Sequence, residues 1–277
     1  NDFLPHLPSV DVNISGLDIV LRAYFDTLCT LKTHLVNIEQ SPIVNSIFLE
    51  DFLKYLSDRE DYYFKKLRPK WMHGFLKRRC PFNDSYDREC WEIANMRSKE
   101  ADKIRKNNPI KLGEGKRNEW KFRYYEHYFG IETNQIELVE DMCHEFCKGL
   151  LWSTKYYFEG CPSWSWKYPF AHAPFISDIY MYVKNSKIEF DDIKIKDDGY
   201  LLPCQQLLAV LPPSCSNLLP NTYKHLVLSD KSTIIDMFPE KVSIDMLYKY
   251  RDFQCTPNIP QVEQLRIKSA TKNLKLS

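Results

Sequence analysis

The sequence predicts a mainly α protein, an irregular assembly of many helices joined by long ordered loops. Three observations predict it. Apolar residues recur at 17, 20, 21, 24, 28, 31 and 35, the i, i+3, i+4, i+7 pattern of a helix with one buried face. A second such run covers Thr133 to Phe158, where Ile136, Val139, Met142, Cys143, Phe146, Leu150 and Tyr157 lie on one side. Few segments alternate apolar and polar residues with period two, so strands should be few and short. At least six helices are expected, with no sheet larger than two or three short strands.

Taken in order, Asn1 to Pro8 is held extended by its prolines, and Asp11 to Gly16 makes a turn. After the helix from Leu17 to Leu35, Ser41-Pro42 can open the next one, with Ile47, Phe48, Phe52, Leu53 and Leu56 as its buried stripe. Asp58 to Met96 reads as helix in pieces, broken near Pro69 and Pro81. Lys103 to Asn118 carries the Gly, Asn, Pro and Lys content of a mobile loop without apolar anchors. Trp120 starts a helix that Gly130 ends, and Thr133 can cap the long helix that follows.

The stretch from Trp152 to Asp178 differs in kind. Ten of its 27 residues are aromatic when His172 is counted, and Pro162, Pro169 and Pro174 interrupt it. Each proline removes a backbone donor and pushes the preceding residue out of the α region, so 161–175 should be an ordered, irregular loop. Aromatic rings this dense either pack into a core or offer their faces to a ligand such as a nucleobase. Beyond it, Ser177 to Phe190 is a helix or an arm, Asp191 to Tyr200 is turn-like, and Cys204–Leu211 and Pro220–Leu228 are short helices. Ile234 to Asp245 looks extended, and Lys268 to Ser277 frayed.

Composition narrows the chemistry. No run of eighteen apolar residues exists to cross a bilayer. Nine cysteines are scattered without a CxxC pair, and Cys143 and Cys147 alone cannot complete a zinc site that needs about four ligands. Free thiols are expected. The net charge is +1, but Arg59 to Arg123 holds 19 Lys and Arg against 10 Asp and Glu, a local +9. That basic segment suits phosphate contact as well as it suits a solvated surface. There is no Gly-rich phosphate loop and no nucleophile elbow.

The segment LLWSTKYYFEGCPSWSWKYPFAHAPFISD resembles the second conserved region of the Xrn family of 5′→3′ exoribonucleases. NDFLPHLP at the start resembles that family's GNDFLPHLP. LPCQQLLAVLPPSCSNLLPNTYKHL, followed by STIIDMFPEKVSIDM, resembles a third family block. Lys167 and Ala171 stand where the family usually has Tyr and His, and His172 where it has Tyr. The resemblance covers residues 1–8 and 119–246, and its AVLPP wording leans toward the cytoplasmic member rather than the nuclear one.

The resemblance implies a piece of a larger α/β nuclease core. Residues 1–16 would be the tail end of a nuclease domain and 17–277 a helical domain, with a mobile loop near 103–118. The chain opens inside a motif and lacks a starting Met, in keeping with a fragment. It implies a whole protein that degrades 5′-monophosphorylated single-stranded RNA with Mg²⁺, or Mn²⁺, and no membrane. Asp2 would be its one catalytic, metal-binding carboxylate here, the other ligands lying upstream, so the chain alone should be inactive. One of Trp164 and Trp166 would stack on a base and the other pack. Arg123 would reach a phosphate or brace the loop, and His172 is a candidate RNA contact. His172 and Asp178 suggest acid–base chemistry or, as the favoured reading, hydrogen bonds that hold the loop. Gln205 and Gln206 read as buried-network residues, Asp236 and Asp245 as turn and cap residues. The alternative is a helical interaction domain that kept the wording without the chemistry.

Overall fold

The computed structural model describes residues 3–39, 43–132 and 135–274, and of Ile136 the backbone only. Asp2, the Ser41-Pro42 helix start and the Thr133 cap lie outside the described residues. In chain order the α-helices are α1 (Gly16–Leu31), α2 (Ser46–Tyr62), α3 (Arg68–Leu76), α4 (Ser85–Ala94), α5 (Lys99–Lys106), α6 (Arg117–Phe129), α7 (Ile136–Phe158), α8 (Ile176–Ser186), α9 (Pro203–Val210), α10 (Asn221–Leu228) and α11 (Gln264–Thr271). Strands β1 (Ile244–Asp245) and β2 (Thr256–Pro257) form a two-residue antiparallel pair, with Ile244 opposite Pro257. The protein is mainly α, as the periodicity predicts. The chain divides into two compact units, 1–79 with 109–198 and 80–108 with 199–277.

The first unit is built on α2, α7 and α8, with α1 packed against α2. Asn45 caps α2, its Oδ1 accepting from the Phe48 amide at 3.1 Å. Leu49, Leu53 and Leu56 of α2 meet Cys143, Phe146, Cys147 and Leu151 of α7 and Ile176, Ile179 and Val183 of α8 in one core. Ile47 is 70% exposed, off the predicted stripe, because the buried face turns through Phe48 and Leu49. Tyr157 is likewise exposed, since the last turn of α7 runs past the core.

The helix is not broken at Pro69. A π-helical turn, Tyr63–Leu67, carries α2 directly into α3, and Pro69 sits in the first turn of α3. Proline is tolerated there because first-turn amides lack helical acceptors anyway. The break at Pro81 is real, with 77–84 non-helical before Asp84 caps α4. The 103–118 segment is shorter as a loop than expected and has anchors. Lys103–Lys106 belong to α5, and Ile110 is fully buried. Gly130, at φ 63°, ends α6 as predicted.

In the second unit Leu208, Tyr223, Leu226, Val227, Ile234, Met237 and Ile267 form the core. Lys268 to Thr271 form the last turn of α11 rather than fraying. Ile267 and Thr271 are buried, and Gln205 Nε2 donates to Thr271 Oγ1 at 2.7 Å. Gln205 is therefore the buried-network residue expected of it, whereas Gln206 faces solvent. Asp245 accepts from the Leu247 amide as a turn residue, but Asp236 is a side-chain partner of Arg266 at 2.5 and 2.8 Å.

Candidate nucleic-acid interface

Between α7 and α8 the chain runs as an irregular loop, as its prolines require. Its first part is a knot around Ser163. Ser163 O accepts from Trp152 Nε1 at 3.1 Å. Ser163 Oγ donates to Lys196 O at 2.8 Å and accepts from the Trp166 amide at 2.9 Å. Across the knot, Asp197 Oδ1 accepts from the Trp164 amide at 2.8 Å, and Ser165 Oγ accepts from the Asp198 amide at 2.7 Å. Two serines alternating with two tryptophans thus place both backbones, and the rings diverge instead of facing one way.

Trp166 turns inward. Its ring lies near-parallel to Trp152 at 6.1 Å, and Trp152 stacks on Tyr156 at 5.2 Å and 8°. Its Nε1 donates to Glu145 Oε2 at 3.2 Å. Phe3 meets this column edge-on, 4.7 Å from Trp152 and 5.1 Å from Tyr156. Gly149 allows the approach, since a Cβ there would collide with the Leu4 side chain and lie 2.9 Å from Trp166. The segment that follows Asp2 is thereby seated on α7 beside the loop. Trp164 turns outward and is 64% exposed. Of the two tryptophans between which the sequence does not choose, Trp166 is the one that packs.

The far end of the loop is clamped through Asp178, by hydrogen bonds as expected of it, and by groups from α2 and α6. Phe175 is fully buried against Phe64, Trp120 and Tyr124. Tyr124 OH donates to Ala173 O at 2.8 Å, and Tyr125 OH accepts from the Phe175 amide at 3.1 Å while donating to Asp178 Oδ2 at 2.6 Å. Lys121 pairs with Asp178 and donates to Ser177 Oγ. Glu60, 1% exposed, accepts from Ile176 N and Ser9 Oγ at 3.1 Å and from Ser177 Oγ. Arg117 stands 3.5 Å from Oε2, the oxygen that accepts from Ser177 Oγ. Burial pushes the Tyr125 hydroxyl well up, so it stays the donor this clamp needs.

Burial also raises the Glu60 carboxyl above its ordinary 4.5, against the opposing pull of the Ser177 hydrogen bond and the Lys121 and Arg117 cations. The folded chain then holds this proton more tightly than the unfolded chain. Its contribution to stability is present below 4.5 and is lost as pH rises through the raised folded value. Glu60→Gln, which cannot ionise, is expected to flatten the fall in melting midpoint above pH 4.5. Melting curves across pH check this, and an unchanged slope would assign the fall to another group.

The remaining candidates have plain positions. Arg123 braces the 110–114 segment, its guanidinium donating to the carbonyls of Ile110 (2.6 Å), Lys111 (3.1 Å) and Glu114 (2.8 Å). His172 lies against Tyr128, ring centroids 3.8 Å apart. Cys143 and Cys147 are buried thiols, Cys147 pushed up to about 12. Among the described residues no three carboxylates, histidines or thiols converge as a metal-binding group. Asp2, the one ligand that the resemblance implies in this chain, lies outside the described residues. No described helix is long and apolar enough to cross a membrane.

The helices of the first unit present a braced aromatic loop. A family model described as the Xrn1 helical domain matches residues 83–277. Human 5′-3′ exoribonuclease 1 is 27% identical over 98% of the chain, which spans 17% of that protein. Saccharomyces cerevisiae 5′-3′ exoribonuclease 1 is 37% identical over 53% of the chain and 9% of its own length. Gallus gallus 5′-3′ exoribonuclease 2 is 32% identical over 56% of the chain and 16% of its own length. The chain belongs to the Xrn family of 5′→3′ exoribonucleases.

Proposed function

We propose that this chain is the part of a 5′→3′ exoribonuclease that closes the RNA pocket and presents a stacking ring to the strand. The observation that supports it best is Trp164, left 64% exposed on a loop whose every flank is tied down. An exposed large ring on a mobile loop would carry little meaning. A ring held out by backbone hydrogen bonds has already lost the freedom that binding a base would otherwise cost. Stacking is sequence-tolerant, which suits an enzyme that must step along any RNA.

The substrate is single-stranded RNA with a 5′ monophosphate, and the compartment the cytoplasm. The chain is a piece of a larger core, residues 1–16 ending the nuclease domain and 17–277 forming the helical one. Hydrolysis is Mg²⁺-dependent, with Mn²⁺ a substitute, and Asp2 is the only ligand in this chain.

The test is release of mononucleotides from the 5′ end of labelled RNA by the protein that carries this chain. A 5′-monophosphorylated strand should be consumed and its 5′-hydroxyl counterpart spared, while the 277-residue chain by itself should release nothing. Equal consumption of both strands would remove the 5′-monophosphate requirement. No consumption of either would favour the non-catalytic reading.

A further inference from the structure

The joined helix from the π turn through α3 has two faces of opposite character. Tyr63, Phe64 and Phe75 are buried, and Leu67, Arg68, Trp71 and Met72 half-buried, on the inner side. The outer side carries Lys66, Lys70, His73 and Lys77, all exposed, at spacings of four, three and four. In α-helical geometry the spacings from Lys70 through His73 to Lys77 put one residue above the next on a single stripe, and Lys66 lies in the π turn just before it. From Tyr62 to Phe82 there is no Asp or Glu, while Lys65, Lys66, Arg68, Lys70, Lys77, Arg78 and Arg79 are all present. Lys65 is paired with Asp61 at 3.3 Å. Among the described residues, Lys66, Lys70 and Lys77 form no ion pair.

Lys66 and Lys70, four residues apart, repel each other weakly. A flexible polyanion with regularly spaced charges relieves that repulsion and gains entropy by shedding counterions. The stripe is also rigidly tied to the aromatic loop. Phe64 of the π turn meets Phe175 at 5.9 Å, and Glu60, one turn earlier, holds the Ile176 amide. The π turn itself is of the kind often found where a helix serves a site, since its extra residue resets which side chains share a face.

We propose that Lys66, Lys70 and Lys77 form a phosphate-tracking rail for the single-stranded RNA, beyond the nucleotide held at the aromatic loop. This rests on the exoribonuclease reading. The rail's ligand is the sugar-phosphate backbone, so it reads no sequence and lets the strand slide as it shortens.

The test uses the protein that carries this chain, with Lys66→Gln, Lys70→Gln and Lys77→Gln combined, and short and long 5′-phosphorylated oligouridylates. For long RNA the slope of log affinity against log salt should shrink by about 2, at about 0.7 for each single-strand phosphate that the variant no longer neutralises. Binding of the shortest oligomer should not change, and the protein should release long RNA after fewer steps. The triple Lys→Arg variant, which keeps the charge, should behave as wild type, and both variants should keep the wild-type melting midpoint. An unchanged salt slope on long RNA overturns the rail, including the case where the Gln variant instead loses anionic phosphatidylserine vesicles. If the wild-type protein fails to bind any of these RNAs, the exoribonuclease reading itself fails. If the wild type degrades them and the Gln variant matches it at every length and salt, only the rail fails.

Discussion

Asp2→Asn in the protein that carries this chain is expected to lower RNA hydrolysis by orders of magnitude and to leave metal-free RNA binding intact. The exchange of carboxylate for carboxamide keeps the shape and removes one negative charge. Two-metal phosphodiester chemistry depends on carboxylates to hold the ions that stabilise both attacking and leaving oxygens. Mg²⁺ in particular gives up its waters reluctantly and tolerates little loss of ligand charge or geometry. The segment that follows is well fixed, with Phe3 edge-on to Trp152 and Leu4 against Gly149, so the substitution should not unseat it. Loss confined to the chemical step appears as a fall in kcat at saturating RNA. Binding measured in a chelator should match wild type. Near-normal turnover at limiting Mg²⁺ would show that Asp2 is not a ligand, and a parallel loss of binding in chelator would make it a structural residue.

The helices were legible where burial is one-sided. In α2 and α7 the apolar residues recur at the helical period because each lays one face on the shared core. In α1 the stripe read from the sequence is off the buried face, since Leu17 and Leu21 are exposed while Gly16, Ala23 and Thr27 are buried, and the helix ends at Leu31, before Leu35. The π turn was not legible, because Pro69 reads as a breaker whether it interrupts a helix or opens its next segment. The end of the chain misled for a similar reason. Its lysines suggested fraying, while Ile267 and Thr271 were already committed to the second core. Much of the site was legible as type and little of it as role. Prolines and aromatic density mark the loop, and the family wording marks its chemistry. The braces are invisible, since Glu60 reaches Ile176 across 116 residues and Asp197 reaches Trp164 across 33. A lone Glu inside a charged helix and a lone Asp in a polar turn carry no pattern. Only the fold tells them from their solvated neighbours.

The sharpest consequence of the fold is that Trp164 and Trp166, two residues apart, should fail in opposite ways. Trp166→Ala removes a ring that lies against Trp152, closes over Gly149 and donates to Glu145. The cavity left behind is expected to cost about 3–5 kcal/mol of stability, the range for large-to-small changes of packed aromatics. RNA affinity in the fraction that stays folded should be little changed. Trp164→Ala removes a ring that is 64% exposed, while the backbone amide that Asp197 holds remains in place. Stability should move by no more than about 0.5 kcal/mol, as for other surface changes. Single-stranded RNA binding should weaken by about 1–3 kcal/mol, almost independently of the base. Salt should matter little to that loss, because stacking releases no counterions, whereas removing a phosphate partner lowers the salt slope. Trp164→Phe should recover much of the affinity, since a smaller ring still offers a π face. Melting midpoint and RNA affinity, measured together on both alanine variants and on Trp164→Phe, separate the two roles. If Trp164→Ala binds RNA as tightly as wild type, the loop is a core plug whose outward tryptophan meets something other than a base. If Trp166→Ala melts normally and loses affinity instead, the inward and outward assignments are reversed.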